Sequence, residues 1–304
     1  MSPEKRSALI GYLALAITVL IWSAWIVYTR QGITRTMPLS VLVLVRMAVP
    51  AVVLAPVVWR MGILGRGRPL IPMVLILCAG IPHILLSAKG LSHAPSSDYA
   101  ALVPGTMPVF VALLAAILFG EKLGWLRTIG LVCSFLGVIA ITWRSLSAAD
   151  ADANFGHLLF LLAGFNYAVF TVAFRKSGLT PLESTAFVSF WSCLMVLPFG
   201  ALPTIEYARA GYGSDILFQA MLQGVLSNLV ALVTFSEGVR RLGASKAAAF
   251  AALVPVGATL LAIPVLGEWP DASAVAGVFL ASFGVVLASG VLALSGKTGR
   301  TAAG

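Results

Sequence analysis

His83 and Asn228 are polar side chains about thirteen and twelve residues inside long apolar runs, with Pro82 and Ser227 as their neighbours. An imidazole or an amide is costly to hold at bilayer depth, and groups of this kind tend to mark a solute or proton path. For His83 the alternative is a hydrogen-bonded histidine that packs helices together. Trp22 and Trp25 are three residues apart, so on a helix they share one face. Tyr167 and Phe170 repeat that spacing, with Asn166 adjacent. Two such walls can hold a planar or apolar body by stacking, although interfacial aromatics are also common in membrane helices. Tyr99 and Trp191 are further aromatic candidates, equally suited to packing.

Pro108 and Pro255 each fall about ten residues into an apolar run, and Pro104 adds a second break in the first of them. A proline removes an intrahelical hydrogen bond and kinks the helix, which frees a carbonyl that a substrate ammonium can use. Paired interruptions in corresponding helices point to a transport site. Pro82, Pro108 and Pro255 are therefore the candidate kinks or gating points. Arg46 lies about six residues inside its run, where snorkelling to the headgroups accounts for it. Lys89 and Glu237 fall near the ends of two runs and read as solvated helix ends.

Enzymatic chemistry has no support in these patterns. G-x-x-x-x-G-K-[ST], H-E-x-x-H and G-x-S-x-G do not occur, and the three histidines are far apart. No nucleophile stands beside a base. Cys78, Cys133 and Cys193 all fall inside apolar runs at spacings that match no metal site, so they read as free thiols. The expectation is a non-enzyme with no cofactor and no metal. No Asp or Glu approaches the midplane, so proton coupling would fall to His83 alone; the alternative is facilitated transport down a gradient.

The elements that must position these residues are membrane helices. The chain has 304 residues, 60% hydrophobic and only 10% charged, with a mean hydropathy of +0.99. Soluble domains carry about 25% charged residues. Ten spans are expected, at 8–28, 40–59, 70–91, 98–119, 125–143, 156–174, 182–203, 216–239, 246–266 and 272–294. The first exceeds a signal-peptide core and lacks a cleavage site, so it reads as a membrane helix. Connections of barely a dozen residues leave no room for an extramembrane domain.

If the N-terminus faces one side, that side receives Lys5, Arg6, Arg60, Arg66, Arg68, Lys122, Arg127, Arg175, Lys176, Arg240, Arg241, Lys246, Lys297 and Arg300. The other receives Arg30, Arg35, Lys89, Arg144 and Arg209, a balance of 14 to 5. The positive-inside rule then places both termini in the cytoplasm. The net charge of +9 reflects this topology rather than nucleic-acid binding.

Two halves recur. Pro108, Gly120-Glu121, Gly130 and Gly137 match Pro255, Gly267-Glu268, Gly277 and Gly284, each pair 147 positions apart. Gly11, Trp22, Trp25 and Arg30 match Gly156, Tyr167, Phe170 and Arg175 at an offset of 145. A unit of five helices is odd, so the second copy enters the membrane upside down. Such inverted repeats build many secondary transporters, with the site at the midplane between halves. The expected architecture is an all-α polytopic membrane protein, ten helices as two inverted repeats of five, over residues 1–147 and 148–304. Gly130, Ser134 and Gly137, with Gly277, Ala281 and Gly284, form small-residue stripes for close helix packing, at a subunit contact in one reading.

These signatures, with Pro-Val-Phe followed by Phe-Gly-Glu-Lys-Leu, resemble the drug/metabolite transporter superfamily of EamA type over nearly the whole chain. The second copy departs from the pattern with Gly-Glu-Trp-Pro. Among its members the chain is similar to bacterial aromatic amino acid exporters of YddG type. The resemblance implies a bacterial inner-membrane exporter of small organic metabolites, amino acids including aromatic ones, working by alternating access. It also implies a central cavity lined by the first, third, fourth, sixth, eighth and ninth helices. Cationic or hydrophobic drugs are the alternative cargo, and a channel the alternative class, though rings of charge or repeated pore motifs are missing. The lipid bilayer and a small-molecule substrate are the expected partners. Monomer and homodimer are both open.

Overall fold

The computed structural model describes residues 3–121 and 124–288, without the side chains of 144–146 and 244–245. Lys122, Lys297, Arg300 and the end of the tenth expected span lie outside the described residues. Among those described, every regular element is helical. In chain order they are α1 (Pro3–Arg35), α2 (Leu39–Val53), α3 (Ala55–Met61), α4 (Leu70–Leu75), α5 (Ile81–His93), α6 (Ser96–Phe119) and α7 (Trp125–Ser147). Then follow α8 (Ala151–Ser177), α9 (Pro181–Tyr207), α10 (Gly213–Gln219), α11 (Ala231–Leu242), α12 (Ala244–Ala251), α13 (Val254–Leu266) and α14 (Ala272–Ala288).

Seven helical stretches are long and apolar enough to cross a membrane, and the pair α2 and α3, bent by 63°, makes an eighth if it is one span. The bend follows from Pro50 inside α2 and Pro56 at the start of α3, neither of which has an N–H to continue the ladder. One stretch, Pro181–Leu242, is 62 residues long. It is broken at Gly211, whose φ of 96° no helix contains. The protein is therefore a multi-pass helical membrane protein.

The ends of the helices are written locally. Thr180 and Glu183 form a capping box at the start of α9, the Thr180 Oγ1 accepting from the Glu183 N–H at 3.2 Å and Glu183 Oε2 from the Thr180 N–H at 2.8 Å. Gly120 and Gly267, 147 positions apart, end α6 and α13 in the left-handed conformation at φ 65° and 71°. Their N–H groups fold back on the carbonyls of Ala116 and Ile263, both at 3.0 Å. Each cap throws the following glutamate, Glu121 or Glu268, out of its helix end.

Packing runs through pairs from opposite halves of the sequence: α7 on α14, α2 on α9, α6 on α8, and α1 on α11 and α13. The small-residue stripes meet inside the chain. A Cβ at Gly137 would lie 2.6 Å from the Ala281 backbone nitrogen, and one at Gly130 would lie 2.5 Å from that of Ala288. The facing positions run in opposite senses along the two helices, so α7 and α14 are antiparallel. This seam is buried within one chain, which corrects the subunit-contact reading of the stripes.

Candidate functional site

A cavity of about 370 Å³ lies among these helices. Its walls include eight of the side chains singled out above: Trp22, Trp25, His83, Tyr99, Tyr167, Phe170, Ser227 and Asn228. They come from α1, α5, α6, α8 and the stretch between α10 and α11. Aromatic rings line it from both halves. Trp25 meets Tyr99 edge-on at 5.6 Å, and Tyr167 meets both Phe170, at 5.2 Å, and His83, at 5.1 Å.

His83 reaches the cavity because the third span is interrupted. A 3₁₀ turn, Ile76–Ala79, gives way at Gly80 to a fresh helix start at Ile81 with Pro82 in its first turn. A Cβ at Gly80 would crowd Ser192 Oγ and Val188 Cγ1, so α5 and α9 approach closely here. His83 Nδ1 lies 3.0 Å from the Ala163 carbonyl. A carbonyl only accepts, so Nδ1 carries the hydrogen, and in the neutral ring Nε2 is left as an acceptor.

Asn228 sits in an eleven-residue π-helical stretch, Ala220–Val230, wider than an α-helix and of a kind often found at functional sites. Its amide donates to the carbonyls of Gln223, at 2.7 Å, and Arg46, at 3.4 Å. Ser227 and Ser184 both line the cavity with hydroxyl oxygens that are buried and unpartnered. Pro104 and Ala251 also line it. These are the residues whose carbonyls lose their i+4 donors to Pro108 and Pro255, and they are 147 positions apart. Pro82, Pro108 and Pro255 themselves are not in the lining; Pro82 and Pro255 each sit in the first turn of a helix that starts after a break, at Gly80 and at Ala252–Leu253. α6 continues through Pro108.

Arg46 overturns its sequence reading. Instead of snorkelling outward it lines the cavity, with its guanidinium 4.7 Å from the centre of the Trp25 ring. Its Nη1 donates to Gln223 Oε1 at 2.9 Å, while Nε is buried without a partner. Gln223, fully buried, also donates to Thr29 Oγ1 and to Gln219 Oε1. Gln219 in turn reaches the Tyr28 carbonyl. An arginine and two glutamines inside apolar runs were the available signal for this ladder. Trp191 and Asn166 do not reach the cavity: the first donates to the Ile63 carbonyl at 3.0 Å, the second to that of Leu162 at 3.0 Å. Lys89 is exposed, and Glu237 pairs with Arg240 and Arg241 of its own helix.

The cavity is closed at one end. Where α1 terminates, away from the N-terminus, Ile26, Met47, Tyr99 and Val103 of the lining are buried. Above them Arg30 pairs with Glu268 and donates to the carbonyl of Ala94 at 2.7 Å, and to that of Leu91. Glu268 also accepts from the backbone N–H and the hydroxyl of Ser96, at 3.0 and 2.6 Å. Three elements are thereby knotted together: the end of α1, the α5–α6 corner and the α13 cap. Toward the N-terminal face the lining reaches Thr185, four residues beyond the start of α9, and Phe170, Thr185, Leu232 and Ala251 are part-exposed. The lining is less covered toward that side, where Ser184, Val188, Ser189 and Val254 are its buried members.

On that less covered side stands the repeat-related pair, Arg175 Nη2 donating to Glu121 Oε1 at 2.5 Å. The position corresponding to Ser96 is Gly243, at the α11–α12 corner, where a Cβ would meet nothing within 4 Å. The sequence comparison matched Arg30 with Arg175 and Glu121 with Glu268, but only the fold reveals that each arginine pairs with the other half's glutamate.

The model of the EamA-like transporter family matches residues 9–143 and again 154–290. A probable terminal-alkyne amino-acid exporter of Streptantibioticus cattleyicolor is 27% identical over 278 residues, 90% of this chain and 91% of that protein. An uncharacterized transporter of Bacillus subtilis is 25% identical over 60% of this chain, a match that spans 63% of its own length. An S-adenosylmethionine uptake transporter of Rickettsia bellii is 25% identical over 62% of each chain. A solved crystal structure, 20% identical, shares the fold over 98% of this chain and 99% of its own, with a TM-score of 0.56.

Proposed function

This chain belongs to the EamA-like transporter family of multi-pass small-molecule transporters, and from that premise we propose that it exports amino acids, aromatic ones included, by alternating access around the central cavity. One observation carries the reading. Positions related by the repeat offsets converge on one cavity: Trp22 with Tyr167, Trp25 with Phe170 and His83 with Asn228 at 145, and Pro104 with Ala251 at 147. A site built from equivalent points of two inverted halves is what alternating access requires, because tilting either half presents the same groups to the other face.

In this reading the chain makes ten spans in two inverted fives, over residues 1–147 and 148–304. Division at Gly211 and the seventeen-residue α14 supply the spans beyond the eight counted by length. Antiparallel packing of α7 on α14 agrees with an inverted pair. The excess of lysine and arginine puts the N-terminal face in the cytoplasm, so the less covered side of the cavity faces inward in this state, ready to load a solute for export across a bacterial inner membrane. The export direction is supported by the Streptantibioticus relative, named as a probable terminal-alkyne amino-acid exporter. Among the described residues no carboxylate lines the cavity, so movement is facilitative or weakly proton-coupled through His83.

Proteoliposome counterflow with labelled phenylalanine tests this reading. Saturable counterflow is expected, lowered about 3- to 10-fold by Trp22→Ala, the worth of one aromatic contact, and by a similar factor in Asn228→Ala. Unsaturable conductance, or amino-acid transport untouched by both substitutions, would refute it. Strong dependence on a pH gradient that survives His83→Ala would refute the coupling.

A further inference from the structure

The geometry points to Arg46 as a fixed anion anchor, so that the substrate carries a carboxylate that docks on its guanidinium while its body lies along the aromatic wall. This rests on reading the central cavity as the transport site. Arg46 is the eighth residue of α2, roughly 10 Å along the helix from its start at 1.5 Å per residue. A positive charge at such depth is retained where it has a partner or a task. Yet among the described residues no Asp or Glu lines the cavity and no ion pair includes Arg46.

What surrounds it holds the guanidinium without neutralising it. Trp25 offers a ring face at 4.7 Å and Gln223 one neutral oxygen at 2.9 Å. The Asn228 amide donates to Arg46's own backbone carbonyl and leaves its side chain alone. The arginine Nε remains buried and without an acceptor. Nε and Nη2 together form the edge that a carboxylate meets with two parallel hydrogen bonds; Gln223 takes Nη1, off that edge, and the Nε donor on it is unmet.

Burying a charge with an unmet donor is unfavourable by itself. The state becomes favourable when a mobile anion supplies the missing charge and acceptors. The same positive charge repels a cation entering a low-dielectric cavity, which disfavours cationic drugs as cargo. Beside the anchor, Trp25, Trp22, Tyr167 and Phe170 supply the surface for an aromatic or apolar body.

The test is calorimetric titration of the purified full chain in lipid nanodiscs against phenylacetate, phenylalanine and phenethylamine. The wild type is expected to bind the two carboxylates at least about tenfold more tightly than the amine, by analogy with one charge-assisted bidentate contact. Arg46→Gln should weaken phenylacetate binding about 10- to 100-fold and leave the amine unchanged or tighter. Arg46→Lys keeps the charge without the fork and should fall between. If Arg46→Gln does not fold, the Arg46→Lys loss and the wild-type ranking carry the decision. The inference is overturned if the amine binds the wild type as tightly as phenylacetate, if neither carboxylate binds, or if the arginine substitutions leave the ranking unchanged. Failure of phenylalanine counterflow with the carboxylate preference intact would instead refute amino-acid export and leave the anchor standing.

Discussion

Glu268→Gln should open the closed end of the cavity. Glu268 takes hydrogen bonds from the Arg30 guanidinium, the Ser96 N–H and the Ser96 hydroxyl. The two charged side chains are only 18% and 20% exposed, so water replaces little of what is lost. A glutamine keeps one acceptor for Ser96 but leaves the Arg30 charge facing only the carbonyls of Leu91 and Ala94. Hydrogen bonds to charged groups are worth about 1.5–3 kcal/mol each. We take about 2 kcal/mol as the net loss to the closed arrangement, or roughly 30-fold in the population open on that side, at about 1.4 kcal/mol per factor of ten. The repeat-related pair offers an internal control. Arg175 and Glu121 are 47% and 32% exposed and tie only two elements, a class of surface ion pair that contributes little. The assay is the labelling rate of Val103→Cys, a buried lining position, by a membrane-impermeant maleimide added to the face away from the N-terminus. Cys78, Cys133 and Cys193 are replaced beforehand. Glu268→Gln should raise that rate about 10- to 30-fold, and Glu121→Gln by no more than about threefold. Equal effects from the two substitutions, or none from Glu268→Gln, would show that the knot does not hold this end shut.

Other consequences follow from the packing and the charges. Gly284→Ala places a methyl about 2.5 Å from the Gly130 carbonyl oxygen. It should cost about 1–3 kcal/mol by overpacking, read as a lower melting temperature in detergent, while Gly124→Ala, with nothing within 4 Å, should change it little. The hydrogen bond from Arg175, aided by that residue's charge, holds the Glu121 carboxyl below its usual range. A depressed carboxylate stabilises the folded state fully above the unfolded value of about 4.3, less below it, and not at all once pH falls past the lowered folded value. The melting-temperature difference between wild type and Glu121→Gln should therefore hold at neutral pH and vanish on strong acidification; a difference that grows in acid would contradict the pairing.

Much of this was readable from residue spacing. The Gly-Glu pairs at 120–121 and 267–268 mark helix ends because only glycine easily takes the left-handed cap, and the aromatic matches at offset 145 locate the cavity walls. Arg46 was misread because depth along a helix does not give rotation about it. The run from 40 to 59 is apolar all round, so nothing in its periodicity indicates which face turns inward. The Trp25 ring and the Gln223 amide then hold the guanidinium inside. Gln223 escaped for a related reason: the π-helical stretch shifts the register on which a count from the start of the helix depends. The charge pairs were present in the matched lists but crossed between halves, and pairing across a duplication cannot be read from either copy alone.

That crossing makes the chain its own check on assembly. Arg30 and Glu121 belong to the same half yet sit at opposite ends of it, so one half by itself leaves each of them without its opposite charge. Two halves inserted the same way up would hold every arginine a membrane's thickness, about 30 Å, from every glutamate it could join. Arg30 and Glu268 meet at one end of the bundle and Arg175 and Glu121 at the other, the arrangement that inverted halves would give. A product with the halves the same way up would lack both of these pairings.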